Sequence, residues 1–409
     1  MTSMAKYLQI AVFAVALFVS PIAMSDVVTD WNIKVGDIVT TSRLATPPSN
    51  RVLAIVHTAM YAAANAVTKR YPTSGLNVEA VPGTSLEAAI AAANHAALMK
   101  LLPAEQGAIE SAYQGALAKV EDGAAKSAGI AAGEQAAAAV FASRADDIVG
   151  TIDSYRPYTT AGVYVPTVVP IAVQWPQRKP WLMTSAAQFR PGPPPALTSE
   201  VWTRDYNEIK ALGGKNSMQR TAAQTEIARF WEATLAPIYY GLVRSVADIP
   251  GRDVTQNARL FAAVTQAMDD AMIAVFDAKY QYNFWRPITA IRNGDIDGND
   301  ATERDPSWTP FVETPMHPEY PCAHCIIAGA VGAVLEAEIG AGPSPILTTT
   351  SSTAKNTARS WKKVDDFVQE VALARICDGV HYRNSTEVGT AMGKEVGALA
   401  VAKFGLRAD

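Results

Sequence analysis

Apolar residues recur at intervals of three and four along most of this chain, and proline, glycine or serine marks the breaks between the periodic runs. Between residues 50 and 146 the pattern predicts successive alanine-rich helices: RVLAIVHTAMYAAANAV, SLEAAIAAANHAALMKLL, AEQGAIESAYQGALAKV and AAKSAGIAAGEQAAAAVFASRADDI. Their small side chains predict a bundle with close interhelix contacts. From 151 to 198 the periodicity dissolves into YRPYTTAGVYVPTVVPIAVQWPQRKPW and RPGPPPAL, where the prolines forbid long helices and central strands. This stretch reads as an ordered connector, either a wrap over the bundle or a wall of a site's mouth. Helical spacing resumes at Ser199 and continues through ARLFAAVTQAMDDAMIAVFDAKYQYNFW. A polar, proline-rich loop follows from 292 to 320, and the remainder alternates helices with short turns. The predicted class is mainly α, a helical bundle with long proline-rich loops, divided into 26–150, 151–198 and 199–409.

The first 25 residues follow a different rule. Lys6 precedes an apolar run from Leu8 to Val19, and Pro21 and Ala23-Met24-Ser25 follow it, the pattern of a secretory signal cleaved before Asp26. The expected location is secreted or periplasmic. The run is shorter than the ~20 residues a membrane span requires, and the apolar stretch after Cys325 meets Glu336 and Glu338, so no stable span is expected after cleavage. A net charge of -4 excludes the broad basic surface that nucleic acid or acidic lipid would call for.

Positive charge gathers instead in three short segments: KYQYNFWRP at 279–287, PCAH at 321–324 and RICDGVH at 375–381. Lys279 and Arg286 are seven apart, two turns or about 10.5 Å along one helix face, with Pro287 ending that helix. PCAH opens an apolar helical run, so free N-H groups and a partial positive charge lie beside Ala323 and His324. In the third segment Arg375 lies on a helix that Gly379 can end, turning His381 back towards the same place. Guanidinium groups hold oxyanions through a planar fork of donors, and a neutral imidazole serves as nucleophile or metal ligand. His57 and His95, on the alanine-rich helices, read as structural histidines.

Lys279 with six residues before Arg286-Pro287, Pro321-x-x-His324, and Arg375 with five residues before His381 together resemble a known tripartite signature. It is that of the vanadium-dependent haloperoxidases and the type 2 phosphatidic acid phosphatases (PAP2). The WRPITAIRNGDIDGN, TPMHPEYP and HYRNSTEVG contexts and the alanine-rich amino-terminal helices resemble the exported bacterial haloperoxidase-type branch. The resemblance implies a helical bundle of that type in which Lys279, Arg286, Arg375 and the Ala323 N-H, beside Cys322, bind vanadate or phosphate. It implies His381 as the vanadium ligand or phosphate-accepting nucleophile, and His324 as the acid-base residue. Hydrogen peroxide and halide would be the substrates. The alternatives are a PAP2-type acid phosphatase, taking a phosphomonoester through a phosphohistidine at His381, and a helical protein that only binds an oxyanion.

Three departures from the family pattern stand out. Cys322 and Ala323 replace its Ser-Gly, and Ser385 stands where an aspartate four residues after His381 belongs; Asp378 is a candidate substitute for that carboxylate. A free Cys322 at a helix start near cations is prone to oxidation, and a bridge to Cys325 or to Cys377 would protect it. CAHC also has the form of a thiol oxidoreductase motif. Cys377 with five residues before Arg383 has a cysteine-phosphatase spacing, Cys322, His324, Cys325 and His317 offer zinc donors, and DIDGND at 295–300 has a calcium-loop flavour without the closing acid.

Overall fold

The computed structural model describes residues 26–406 apart from 74, 148–154 and 235; the signal-like segment 1–25 lies outside the described residues. These residues form thirteen α-helices: α1 Val27–Thr41, α2 Thr46–Thr68, α3 Leu86–Leu101, α4 Gln106–Leu117, α5 Ala124–Ser143, α6 Glu200–Leu212, α7 Ala222–Trp231, α8 Pro237–Ala247, α9 Val254–Tyr282, α10 Pro287–Arg292, α11 Ala323–Ile339, α12 Val364–Cys377 and α13 Arg383–Phe404. A single antiparallel hairpin, β1 Leu347–Ser351 with β2 Thr357–Trp361, pairs Leu347 with Trp361. The mainly α class predicted from periodicity is what the chain adopts. Two elements were not anticipated: α1, whose Val28, Trp31, Val35, Ile38 and Val39 form a buried stripe, and the hairpin, built from the β-branched run LTTTS.

The 29-residue α9 is the axis of the molecule. It begins at a capping box, with Asp253 accepting from the Gln256 N-H and the Gln256 side chain accepting from the Asp253 N-H, and nearly all of its faces are buried. Helix α2 packs on it from the amino-terminal half, and α11 and α13 pack on it from the carboxy-terminal half. One apolar core therefore runs from Val28 to Leu406. A smaller aromatic cluster of Trp202, Tyr206, Phe284, Trp285, Trp308, Tyr320 and Tyr382 lies under the loops that follow α9.

Contact between α11 and α13 depends on glycines at a four-residue spacing, Gly389, Gly393 and Gly397, on one face of α13. A side chain at Gly389 would come within 2.6 Å of the Cys322 carbonyl oxygen, and one at Gly393 would overlap the Ile326 carbonyl. The glycine face thus sets how closely the start of α11 approaches α13. Gly393→Ala is expected to lower stability by about 1–3 kcal/mol, read as a lower urea midpoint at unchanged slope. An unchanged midpoint would mean the two helices have room to separate.

The proline-rich connector both wraps the bundle and reaches the site. Asp270 of α9 accepts the N-H groups of Trp181, Leu182 and Met183 at 2.7, 2.8 and 2.9 Å. Farther back, Ile171 N-H bonds the Met316 carbonyl at 2.9 Å, and Ile171 lines the cavity described next.

Candidate active site

Helix α9 ends earlier than its sequence suggests. Asn283 takes a left-handed conformation (φ 48°) as C-cap, and Arg286 lies in extended backbone as the residue before α10. Lys279 and Arg286 therefore do not share a helix face. The chain turns at Asn283, whose carbonyl accepts the Tyr164 N-H, and this turn aims Arg286 inward. A left-handed asparagine is an ordinary helix stop, and it precedes the stop that Pro287 would impose.

Both cations are fully buried. Lys279 Nζ donates to the carbonyls of Pro318 (2.9 Å) and Glu319 (2.7 Å). Arg286 donates through Nε to the His317 carbonyl, through Nη1 to the Val380 carbonyl, and through Nη2 to His317 Nδ1 at 3.0 Å. Its Nη1 also lies 3.3 Å from His381 Nε2. Burial, and then Arg286 beside it, pushes the Lys279 ammonium well below its ordinary range, while Glu319 opposes the shift.

The third cation comes from α12. Arg375 is 2% exposed and pairs through Nη1 with Asp378 Oδ2 at 2.6 Å, while its Nε has no partner among the described residues. After α12, Gly379 (φ 78°) turns the chain, and the His381 N-H bonds the Arg375 carbonyl at 3.3 Å. His381 is thereby brought under the arginines.

The carboxylate on His381 is not Asp378. Asp378 is one helical turn from Arg375 and is taken by it, whereas His381 Nδ1 lies 2.8 Å from Oε1 of Glu319, which is 0% exposed. Glu319 Oε1 also accepts the Tyr382 N-H at 3.1 Å. Ser385 Oγ, at the family aspartate's position, is 3.5 Å from Nδ1, too long for a firm bond. Burial raises the carboxyl of Glu319 to about 7 against the pull of Lys279 and Arg286, and that of Asp378 to about 7 against Arg375. Burial and then Arg286, Lys279 and Arg375 push the His381 imidazole well below its ordinary range.

PCAH starts α11 as the sequence predicts. The Tyr320–Pro321 peptide is cis, Cys322 is the N-cap, and its Sγ accepts the Cys325 N-H at 3.2 Å. The N-H groups of Ala323 and His324, in the helix's first turn, have no partner among the described residues. His324 Nε2 donates to the Ala233 carbonyl at 3.3 Å, and burial followed by Arg375 pushes its pKa well down. Ala323, His324, His317, Arg375 and His381 line one cavity of about 450 Å³, together with Tyr239, Met272 and Phe276. Behind this lining, Arg286 bonds His317 and faces His381, Cys322 directly precedes Ala323, and Lys279 is tied to the Pro318 and Glu319 carbonyls. The seven residues picked from the sequence come from α9, the loop after it, the start of α11 with its N-cap, α12 and the turn after α12. His317 and Glu319 were missed as partners of the cradle. Both lie in TPMHPEYP, and the absent aspartate at 385 was the signal to look for a carboxylate elsewhere.

The rival chemistries find little support in the geometry. Cys322, Cys325 and Cys377 are free, buried thiols, so neither protective bridge is formed. Burial raises the Cys322 thiol, but the hydrogen bond with Cys325 and the Arg375 charge bring it below its ordinary value, and Cys325 is pushed well above. CAHC sits on a helix of an all-α core rather than beside a thioredoxin-like sheet. Cys377 closes α12. No group of three His, Cys, Asp or Glu among the described residues is arranged to hold a metal ion. Asp297 uses its carboxylate on Trp202 Nε1, Thr302 Oγ1 and the Asn299 N-H, which makes DIDGND a stapled polar turn. His57 is structural: buried, with Nδ1 on its own helix's Leu53 carbonyl and its ring stacked on Phe261. His95 likewise pairs with Glu110 and stacks on Tyr113. No helix among the described residues is long and apolar enough to cross a membrane.

The chain has known relatives in sequence and in fold. The VCPO second helical-bundle domain matches residues 259–406, a stretch that contains all three cation segments. A vanadium chloroperoxidase of Curvularia inaequalis is 29% identical over 181 residues, covering 36% of this chain and 29% of the relative's length. Among solved structures, the first bacterial vanadium-dependent iodoperoxidase is similar with a TM-score of 0.75 at 24% identity, over 92% of this chain and 96% of that one. A holo-type bacterial vanadium-dependent chloroperoxidase gives 0.66 at 18% identity, over 89% and 94%. The fold is therefore that of the bacterial vanadium-dependent haloperoxidase structures, and residues 259–406, which hold the three cation segments, are similar to the VCPO second helical-bundle domain.

Proposed function

We propose that the protein is a vanadium-dependent haloperoxidase that oxidises halide with hydrogen peroxide. The observation that carries this reading is the state of His381. Arg286 can only donate, so the His381 Nε2 that faces it carries a lone pair, and the ring's one proton sits on Nδ1 towards Glu319. A bare imidazole nitrogen beside buried guanidinium groups is the donor a vanadate ion requires.

The surrounding residues fit such an oxyanion. Three buried cations, Lys279, Arg286 and Arg375, face two carboxylates, Glu319 and Asp378, and the Arg375 Nε and the Ala323 and His324 N-H groups are left as donors. Lys279, Arg286, Arg375 and the Ala323 N-H would hold the vanadate oxygens, with the weak Cys322 thiol donor beside them, and His381 Nε2 would ligate the metal. Bound vanadate supplies the Lewis acid that activates peroxide for oxygen transfer to halide. His324 keeps its proton on Nε2 against the Ala233 carbonyl, so Nδ1 is the basic atom that would take a proton from incoming peroxide. The apolar wall of Met272, Phe276 and Ile327 limits water in the cavity. The signal-like segment supports export as the setting.

Purified metal-free protein should gain peroxide-dependent oxidation of iodide or bromide on addition of vanadate. Release of phosphate from an aryl phosphate by the vanadate-free protein, without halide oxidation in the loaded one, would replace this reading with a phosphatase. Silence in both assays would leave oxyanion binding alone.

A further inference from the structure

His381 needs a partner that fixes its tautomer, and the pattern of this chain removes the usual one: position 385 is a serine. We propose that Glu319, from the loop before α11, is the positioning residue for His381, so that the supporting carboxylate has moved from α13 to the cis-proline loop. The proposal rests on the oxyanion-ligand reading of His381, and it is carried by geometry alone.

Glu319 Oε1 receives the Tyr382 N-H at 3.1 Å, which makes this oxygen an acceptor, and His381 Nδ1 stands 2.8 Å from the same atom. Arg286 Nη1 can only donate, so His381 Nε2 facing it carries the lone pair, and the neutral ring's proton sits on Nδ1 and is donated to Oε1. The carboxylate is itself held in place. Lys279 Nζ bonds the Pro318 and Glu319 carbonyls, and the Glu319 N-H bonds the Phe284 carbonyl at 2.9 Å. One loop thus ties the lysine of the first segment to the histidine of the third. Both His381 and Glu319 are buried to within 1% of exposure, so water does not compete for Nδ1. Ser385 Oγ is close enough to show that an aspartate there, one bond longer, would reach the same nitrogen.

The test compares the wild type with Glu319→Ala, Glu319→Gln and the double variant Glu319→Ala/Ser385→Asp, each as the full chain and checked for an unaltered far-UV spectrum. In vanadate-free protein labelled with 15N-histidine, the His381 ring should show the Nδ1-H tautomer in the wild type, a shift towards Nε2-H in Glu319→Ala, and a return to Nδ1-H in the double variant. Vanadate affinity, read by titration, should fall roughly 10–100-fold in Glu319→Ala, fall less in Glu319→Gln, which keeps an acceptor oxygen, and recover at least tenfold in the double variant. An unchanged tautomer together with an affinity within twofold of wild type in Glu319→Ala would overturn the assignment. Failure of the wild type to bind vanadate would sink the haloperoxidase reading instead, and the tautomer measurement in vanadate-free protein would still decide the role of Glu319.

Discussion

His381→Ala is expected to lower vanadate-dependent halide oxidation by roughly three orders of magnitude or more while the protein stays folded. The reasoning starts from what the side chain does in the wall of the cavity. On the proposed reading His381 would offer one atom, Nε2, to the oxyanion, and no other imidazole among the described residues is held with a bare nitrogen against Arg286 except His317, whose Nδ1 already accepts from Nη2. Removing the ring leaves the cations in place, because Arg286 keeps the His317 and Val380 carbonyls and Lys279 keeps those of Pro318 and Glu319. The variant should therefore still bind an oxyanion electrostatically, more weakly, and lose the chemistry that depends on a ligated metal. Halide oxidation, vanadate titration and a thermal melt on the same preparation separate these effects. Activity within tenfold of wild type would show that His381 is not the ligand.

The resemblance to the superfamily was readable because its three segments each sit at a helix end, where the sequence itself marks the break. Pro321 and Cys322 announce the start of α11 and Gly379 the end of α12, so Ala323, His324, Arg375 and His381 were placed by local rules. The first segment was harder. Pro287 hid the earlier stop at Asn283, since a left-handed asparagine leaves only a weak mark in sequence, and Lys279 and Arg286 were put on one helix face when a turn separates them. Carboxylate pairing was not readable at all. Asp378 is near His381 in sequence but lies one turn from Arg375 on the end of α12, and a 2.6 Å ion pair claims it. Glu319 is 62 residues from His381, and only the fold brings them together. Helices with a clear apolar stripe were predicted, whereas α1, next to the leader-like segment, and the hairpin, embedded in a helical region, were overshadowed by their neighbours.

Arg51→Met should cost about 3–5 kcal/mol of stability, the largest effect expected of a single substitution away from the cavity. Arg51 is 3% exposed on α2 and joins three parts of the chain. Its Nη1 pairs with Asp269 of α9 at 2.5 Å, its Nε bonds Asp147 after α5 at 2.9 Å, and its Nη2 contacts both Asp147 and the Lys179 carbonyl of the connector. Asp269 also accepts the Trp181 Nε1-H at 2.7 Å, and Arg144 stacks on the Trp181 ring. A methionine fills the volume but supplies no donor, so two carboxylates from different elements are left buried with their main counter-charge gone. Their desolvation, rather than the lost attraction itself, sets the magnitude. The contrast is Arg304, paired at 3.6 Å with Asp295 where both side chains are about half exposed, for which Arg304→Met should cost less than about 1 kcal/mol. Urea unfolding of the two variants provides the comparison, and adding Asp147→Asn and Asp269→Asn to Arg51→Met should recover part of the loss, because neutral amides no longer need the guanidinium. A loss below about 1 kcal/mol in Arg51→Met would mean that water enters the cluster and replaces the arginine. The consequence reaches the site, since Asp269 and Asp270 anchor the connector on the same helix that carries Lys279, and Ile171 of that connector walls the cavity. An Arg51→Met protein that stays folded at low temperature should therefore lose affinity for vanadate before it loses helicity on warming, because the connector is released from α9 ahead of the core.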